Sequence, residues 1–241
     1  MFSFIIPAFN EEKYIGPCLD AIFALDGLGD SEVIVVDNAS TDATAGIVRE
    51  KYPRVTLVSE SRKGTGWARQ AGLEAAHGDY VCYIDADNLV PAQWLRSVRR
   101  LIDARSDSVA YTGPYNQPYN GFVYVFEKMI YRFVFYPLNK ILNIGKRGGL
   151  LVGGNMVIRR DALKRIGGFD TDIVFWGDDT LLGKRLGVLG TITFSFRMAV
   201  MTSPRRPREV GYIRSSLYYA VNAVWALLFN KPFHRSYRSP R

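Results

Sequence analysis

The chain has 241 residues, 48% of them apolar, a mean hydropathy of -0.04 and a formal net charge of +8. That excludes a chain too small or too polar to build a core, and suits one large domain or one domain with an appendage. No stretch reaches the ~20 uninterrupted apolar residues of a spanning helix, and Cys18 and Cys82 have no metal-ligand spacing, so they read as free core thiols of a reducing compartment. From the first residue on, "SFII" (3–6) predicts a buried strand ended by Pro7, with no basic n-region of a signal peptide before it. Helical spacing of Ile15, Leu19, Ile22 and Phe23 follows, predicting a helix over Glu11–Leu25. "SEVIVVD" (31–37) is a second strand, and Ser40 is the expected N-cap of a helix over about 41–51. "RVTLVSE" (54–60) is a third strand, followed by a helix from Gly64 to His77 closed by Gly78. "DYVCYID" (79–85) is a fourth strand, Pro91 opens a helix running to about Ala104, and "DSVAYTG" (107–113) is a fifth strand.

After residue 113 the pattern changes. Residues 114–150 are rich in aromatics, Gly, Asn and Pro, "LLVGGNMVIRR" (150–160) is a strand with a Gly-Gly break, and "WGDDTLLGKRLGVLG" (176–190) leads into a short amphipathic helix. "TITFSF" (191–196) is a further strand, 197–214 a basic loop, and 212–229 a final amphipathic helix. Strands alternating with helices, the strands nearly continuous in apolar residues, predict an α/β fold with a parallel sheet covered on both faces. Ligands of such sheets bind beyond the carboxyl ends of the strands, where Asn10, Asp37, Asp85 and Asp87 should gather.

Asp85 and Asp87, one residue apart after an apolar strand, can offer hard oxygens to Mg²⁺ or Mn²⁺, or can simply cap a turn. Asp37 suits a nucleobase or ribose, or again a cap. Gly-x-Gly-x-x-Gly after the first strand and the P-loop signature are both absent, which argues against a dinucleotide or P-loop site. Arg62, Lys63 and Arg69 surround two glycines and could neutralise phosphate at a helix start, or form a solvated turn. Asp178 and Asp179 point about 100° apart on a helix. One of them could serve as general base, or the pair could sit there because acids favour helix N-termini.

"FSFIIPAFNEEKYI", "VIVVDNASTDAT", "GTGWARQAGLEAAHGDYVCYIDADN", "GGNMVIRRDALKRIGGFD", "GDDTLLGKRL" and "TSPRR" occur in this order over roughly residues 2–210. The ordered set resembles family 2 glycosyltransferases of the GT-A fold, inverting enzymes that use a nucleotide-diphosphate sugar and a divalent metal. The resemblance implies an α/β, Rossmann-like, mostly parallel sheet flanked by helices. It divides the chain into a transferase domain over 1–210, with a nucleotide-binding half (1–113) and an acceptor half (114–210), and an amphipathic, basic extension over 211–241. Pro7, Ala8, Asn10 and Glu11 would line the nucleotide pocket with Ala86, and Asp37 would contact the base. Arg69 would sit near the phosphates, Asp85 at the ribose or the metal, and Asp87 on the metal, Mg²⁺ or Mn²⁺. Gly153, Gly154, Asn155, Trp176 and Asp178 would shape the acceptor side, Asp179 would be the base, and Arg205 and Arg206 would close over the diphosphate. Asp178 replaces the family's usual Glu, Gln70 its common Asn, and Asn88 its common Asp. No Gln-x-x-Arg-Trp of processive synthases occurs, which points to a single transfer.

Charge is unevenly spread. Residues 1–50 carry nine acids against Lys13 and Arg49, while 197–241 carry eight Arg and one Lys against Glu209. A basic end calls for an anionic partner. Nucleic acid is disfavoured, because acids at the strand ends would repel a phosphate backbone. The aromatic stretch 121–145 and the helix near 212–229 mix Tyr and Trp with Arg and Lys, which suits a membrane interface as well as core or dimer packing. The expected protein is a cytoplasmic enzyme, peripheral on the inner face of the plasma membrane. It would move one sugar from a UDP- or GDP-sugar to a hydroxyl acceptor, a lipid or lipid-linked glycan of envelope or polysaccharide biosynthesis. An inactive nucleotide-sugar-binding protein is the alternative.

Overall fold

A computed structural model describes residues 1–116, 122–144, 148–172 and 178–205, together with 211, 221–222, 224–226, 228–229, 231 and 233. In chain order the first half gives β1 (Phe2–Ala8), α1 (Ile15–Phe23), β2 (Glu32–Asp37), α2 (Thr44–Lys51), β3 (Val55–Ser59), α3 (Thr65–Ala75), β4 (Tyr80–Ile84) and β5 (Asn88–Leu89). Next come α4 (Trp94–Ala104), β6 (Ser108–Thr112) and β7 (Tyr115–Asn116). Then α5 (Phe122–Ile130) runs through a π-helical turn (Tyr131–Phe135) into α6 (Tyr136–Ile144). The rest is β8 (Asn155–Arg159), α7 (Arg160–Arg165), α8 (Asp178–Leu186), β9 (Thr191–Phe194) and β10 (Val200–Thr202).

The main sheet has seven strands in the order β3-β2-β1-β4-β8-β6-β9. All neighbours are parallel except β8, which runs against both β4 and β6. A small second sheet, β5-β10-β7, lies beside it. The strands are apolar on both faces because both faces are covered. Phe4, Ile6, Val33, Val35, Cys82 and Ile84 pack with α1 and α4 through Leu19, Ile22, Trp94 and Leu95. The alternating Ile5, Ile34, Val36, Val81 and Tyr83 pack on the other side with Leu73, Leu163, Leu182 and Leu186. Both cysteines are free and buried, as expected.

Several boundaries differ from the sequence reading. Pro7 lies inside β1, opposite Val36, rather than ending it. Pairing with β4 stops at Ile5, so the strand is already half open where the N–H is missing. A turn precedes α1, with the N–H groups of Tyr14 and Ile15 both donating to the Glu11 carbonyl. Ser40 does not cap α2: its Oγ accepts the Asn10 N–H, and Asp42 accepts the Thr44 N–H at 2.9 Å instead. Helix α3 ends two residues before His77, and Gly78 serves packing rather than capping, since a Cβ there would lie 2.6 Å from Ser3 Oγ. Helix α4 starts at Trp94, whose N–H donates to the Pro91 carbonyl. The predicted strand at 150–160 is confined to β8. The aromatic stretch is helical over 122–144. Of the predicted helix 212–229, positions 221–222, 224–226 and 228–229 are helical and the others lie outside the described residues. Among the described residues no helix is long and apolar enough to cross a membrane.

Candidate active site

Strand order reverses direction at β1, whose neighbours are β2 and β4, the point at which open α/β sheets form a crevice outside the carboxyl ends of their strands. Beyond β1, Asn10 takes a left-handed conformation (φ 54°) and knits the β1 loop to the β2 loop. Its N–H donates to Ser40 Oγ at 3.0 Å and its Oδ1 accepts the Thr41 N–H at 2.8 Å. Pro7 and Ala8 stand beside Val36 and Asp37, and Asp37 Oδ1 accepts the Ser40 N–H at 3.3 Å. Glu11 is only 2% exposed. Its carboxylate receives both terminal nitrogens of Arg205, at 3.0 and 3.1 Å, and Arg205 also reaches Asp87 Oδ2 at 3.3 Å and lies over the Tyr14 ring.

The turn after β4 presents Asp85 and Asp87 to the crevice, while Ala86 between them faces the apolar core. Asp85 is held on two sides. Arg69 Nη2 lies 3.6 Å from Oδ1, and the Tyr115 hydroxyl 3.4 Å from Oδ2. The same hydroxyl accepts the Gly154 N–H at 2.9 Å. Gly154 is needed here because a Cβ would sit 2.1 Å from Asp85 Oδ2, and one on Gly153 would press on Arg69 Nη2 at 2.9 Å. Asn88 is fully buried and donates to the Gly154 carbonyl at 2.7 Å, locking the two loops together.

Arg69, 4% exposed, runs from α3 under the crevice. Its Nη1 donates to the Asp178 carboxylate at the start of α8, so one guanidinium joins Asp85 to Asp178. Burial raises the pKa of Asp178, and Arg69 opposes the rise. Burial and the neighbouring Asp178 push Asp179 up to about 7, with Arg69 and the backbone N–H groups of Thr180 and Gly153 pulling it back. A carboxyl that titrates near neutrality is suited to taking and returning a proton.

The structure therefore brings together Asn10, Glu11, Asp37, Arg69, Asp85, Asp87, Gly153, Gly154, Asp178, Asp179 and Arg205 at one sheet edge. Asn155 lies just beneath it, fully buried, with its side chain donating to the Gly113 and Met198 carbonyls and accepting from Trp94 Nε1. Trp176 and Arg206 lie outside the described residues. Arg62 does not face the crevice alone: it pairs with Glu60, which it holds down to about 2, and stacks on Trp67 at 3.6 Å. Tyr115 and Tyr14 were not foreseen, and only their place in aromatic segments could have hinted at them.

Among the described residues no three His, Cys, Asp or Glu side chains converge as a metal cage. Two carboxylates at a crevice mouth nevertheless fit Mg²⁺ or Mn²⁺, which take one or two protein oxygens and fill the rest of the sphere with phosphate and water.

A family model described as "Glycosyl transferase family 2" matches residues 3–167. The poly(ribitol-phosphate) beta-N-acetylglucosaminyltransferase TarS of Staphylococcus aureus is 34% identical over 114 residues, 45% of this chain and 20% of TarS. The succinoglycan biosynthesis protein ExoO of Rhizobium meliloti is 34% identical over 110 residues, 45% of this chain and 31% of ExoO. These matches thus span about a fifth to a third of each relative's length. The mannosyltransferase PcManGT from Pyrobaculum calidifontis, solved with GDP-Man and Mn²⁺, superposes with a TM-score of 0.76 at 26% identity, over 96% of this chain and 65% of that one. The mostly parallel sheet with its flanking helices is the GT-A fold of these enzymes, and the chain belongs to glycosyl transferase family 2.

Proposed function

We propose that the protein is an inverting glycosyltransferase that moves one sugar from a nucleotide-diphosphate sugar, a UDP- or GDP-sugar, to a hydroxyl of a lipid or lipid-linked glycan in envelope or polysaccharide biosynthesis. The observation that carries this reading is the Arg69 bridge, which sets the donor-side acid Asp85 and the acid pair Asp178–Asp179 on either side of one buried cation. Residues 1–113 form the donor half and 114–210 the acceptor half, with 211–241 as an extension. Asn10, Glu11 and Asp37 line the nucleotide, while Arg205 and Arg206 meet the diphosphate. Asp87 and Asp85 are the residues that would hold Mg²⁺ or Mn²⁺, which when bound supplies positive charge for the departing diphosphate. The Asp179 carboxylate takes the proton of the acceptor hydroxyl. The freed oxygen forms a bond to the anomeric carbon as the bond to the diphosphate breaks and its electron pair leaves with the phosphate. Attack from the opposite face inverts the centre. Relatives support the pathway class: TarS is named as a poly(ribitol-phosphate) beta-N-acetylglucosaminyltransferase, ExoO is named for succinoglycan biosynthesis, and PcManGT was solved with GDP-Man and Mn²⁺. In this reading the enzyme works on the cytoplasmic face of an anionic membrane.

The test is a thermal-shift panel of UDP, GDP, dTDP and CDP with and without Mn²⁺ on wild type and Asp87→Ala, followed by donor turnover. Stabilisation by one nucleotide that needs both the metal and Asp87, with release of nucleotide diphosphate from the donor sugar, is expected. Binding without any turnover, not even slow hydrolysis, would replace the enzyme by a nucleotide-sugar-binding protein.

A further inference from the structure

The helix α5–α6 has two unlike long faces. One is fixed to the fold: Tyr131 stacks on Phe194 and Phe135 packs tilted against it, Asn139 donates to the Leu150 carbonyl, and Asn143 exchanges hydrogen bonds with Ile192. The other is apolar and exposed, with Val125 at 53%, Met129 at 51%, Phe133 at 68%, Ile141 at 64% and Ile144 at 86%. In an unbroken α-helix, at about 100° per residue, Ile141 would stand about 160° round from Val125. The π turn takes in one extra residue and turns everything after it back by about 100°, which brings Ile141 and Ile144 into line with Val125, Met129 and Phe133. The result is one apolar stripe about 80° wide running about 30 Å from Val125 to Ile144, the length of 20 helical residues. Lys128, Arg132 and Lys140, all exposed, fall along a single flank of that stripe, about 20–60° from Val125 on the same count.

We propose that this face of α5–α6 lies flat in an anionic lipid surface, the apolar stripe in the acyl boundary and the three cations at the headgroups. An apolar stripe with cations along one edge matches a surface that is apolar inside and negative at its rim. A second copy laid antiparallel on the same stripe would instead meet an identical row of like charges. The contact also aims the active site. Tyr131 on the fixed face accepts the Tyr115 N–H, and the Tyr115 hydroxyl touches Asp85, so the crevice is tied to the helix that touches the lipid. This specifies the membrane part of the function proposed above, and vesicle binding is read without nucleotide so that the two can fail separately.

The experiment is co-sedimentation of the full chain with phosphatidylcholine vesicles with and without phosphatidylglycerol. Binding only to the anionic vesicles, weakening as salt is raised, is expected. The Lys128→Gln, Arg132→Gln and Lys140→Gln changes should each weaken partition about fivefold, the equivalent of about 1 kcal/mol per cation. Phe133→Ser with Ile141→Ser should abolish binding while leaving the melting temperature unchanged, since both side chains are exposed. Wild-type protein that stays in the supernatant, or variants that bind as wild type does, would overturn the proposal. So would a lipid-free dimer that the Phe133→Ser, Ile141→Ser pair dissolves, which would give the stripe to a second copy.

Discussion

Arg205 and Glu11, 194 residues apart in the chain, form a two-pronged ion pair at 3.0 and 3.1 Å, and the same guanidinium reaches Asp87 at 3.3 Å. One cation thus balances the acid after β1 and the acid after β4. Removing it leaves two mostly buried carboxylates without that partner, which costs about 3 kcal/mol by the usual behaviour of such pairs. Arg205→Gln is therefore expected to lower the denaturation midpoint clearly. Added Mn²⁺ should restore part of the loss by giving Asp87 another counter-charge. Chemical denaturation with and without Mn²⁺ measures both, and an unchanged midpoint would show that the pair contributes nothing.

Asp179 carries a pH signature. A carboxyl whose folded pKa, about 7, lies above its ordinary 3.8 binds its proton more tightly in the folded state. The stability it contributes is complete below pH 4 and is lost as pH rises through 7. Asp179→Asn should be no more stable than wild type near pH 4, gain on it up to about pH 7, and hold a level advantage beyond. Transfer should rise with pH to a plateau above about 7, and the variant should lose about 10²–10⁴-fold in rate. Parallel melting and rate profiles check this; a rate independent of pH from about two units below to about one unit above the Asp179 value of about 7 would remove Asp179 as the base.

Gly154→Ala puts a methyl into the Asp85 carboxylate, 2.1 Å from Oδ2. Overpacking of this kind costs about 1–3 kcal/mol, and displacing a site group by about 1 Å costs about a hundredfold in rate. Activity should fall much further than stability. Steady-state kinetics beside a melting curve separates the two, and a variant with normal turnover would show that Asp85 need not hold this position.

Arg69 reaches Asp85 and Asp178 with different nitrogens of one planar group. Lysine offers a single point charge and cannot span both. Arg69→Lys should therefore fold yet lose activity, while Arg69→Met should also destabilise by about 3–5 kcal/mol. Because Arg69 holds the pKa of both Asp178 and Asp179 down, its loss should move the acidic limb of the rate profile upward. A limb that stays in place in Arg69→Lys and moves in Arg69→Met would separate the charge from the fork.

The sequence made the first half of the sheet readable because β1, β2 and β4 are short, nearly continuous apolar runs, the last two closed by Asp37 and Asp85. It did not show that β8 runs backwards, since a five-residue strand with three apolar residues at its centre carries no direction. The helical state of 122–144 was hidden by its Phe, Tyr and Val, which favour strands; stacking on Phe194 outweighs that preference. Asp85, Asp87 and Asp179 were legible from their places beside strand ends and a helix start. Tyr115 was not, because it sits on a two-residue strand that exists only by pairing with β10, some 85 residues later.

The reversed strand has a consequence for how the chain comes together. β8 separates β4 from β6, so the sheet beyond β4 cannot grow until residue 159 has been made. A nascent chain that has completed β4 still carries a bare β4 edge, open to wrong partners for some 70 residues of synthesis. Gly154, immediately before β8, arrives with the strand that covers that edge, so the Asp85 loop and the sheet are finished in the same step. In pulse-labelled hydrogen exchange, protection of the β4 amides should accordingly appear together with that of β8 and later than that of β1 and β2.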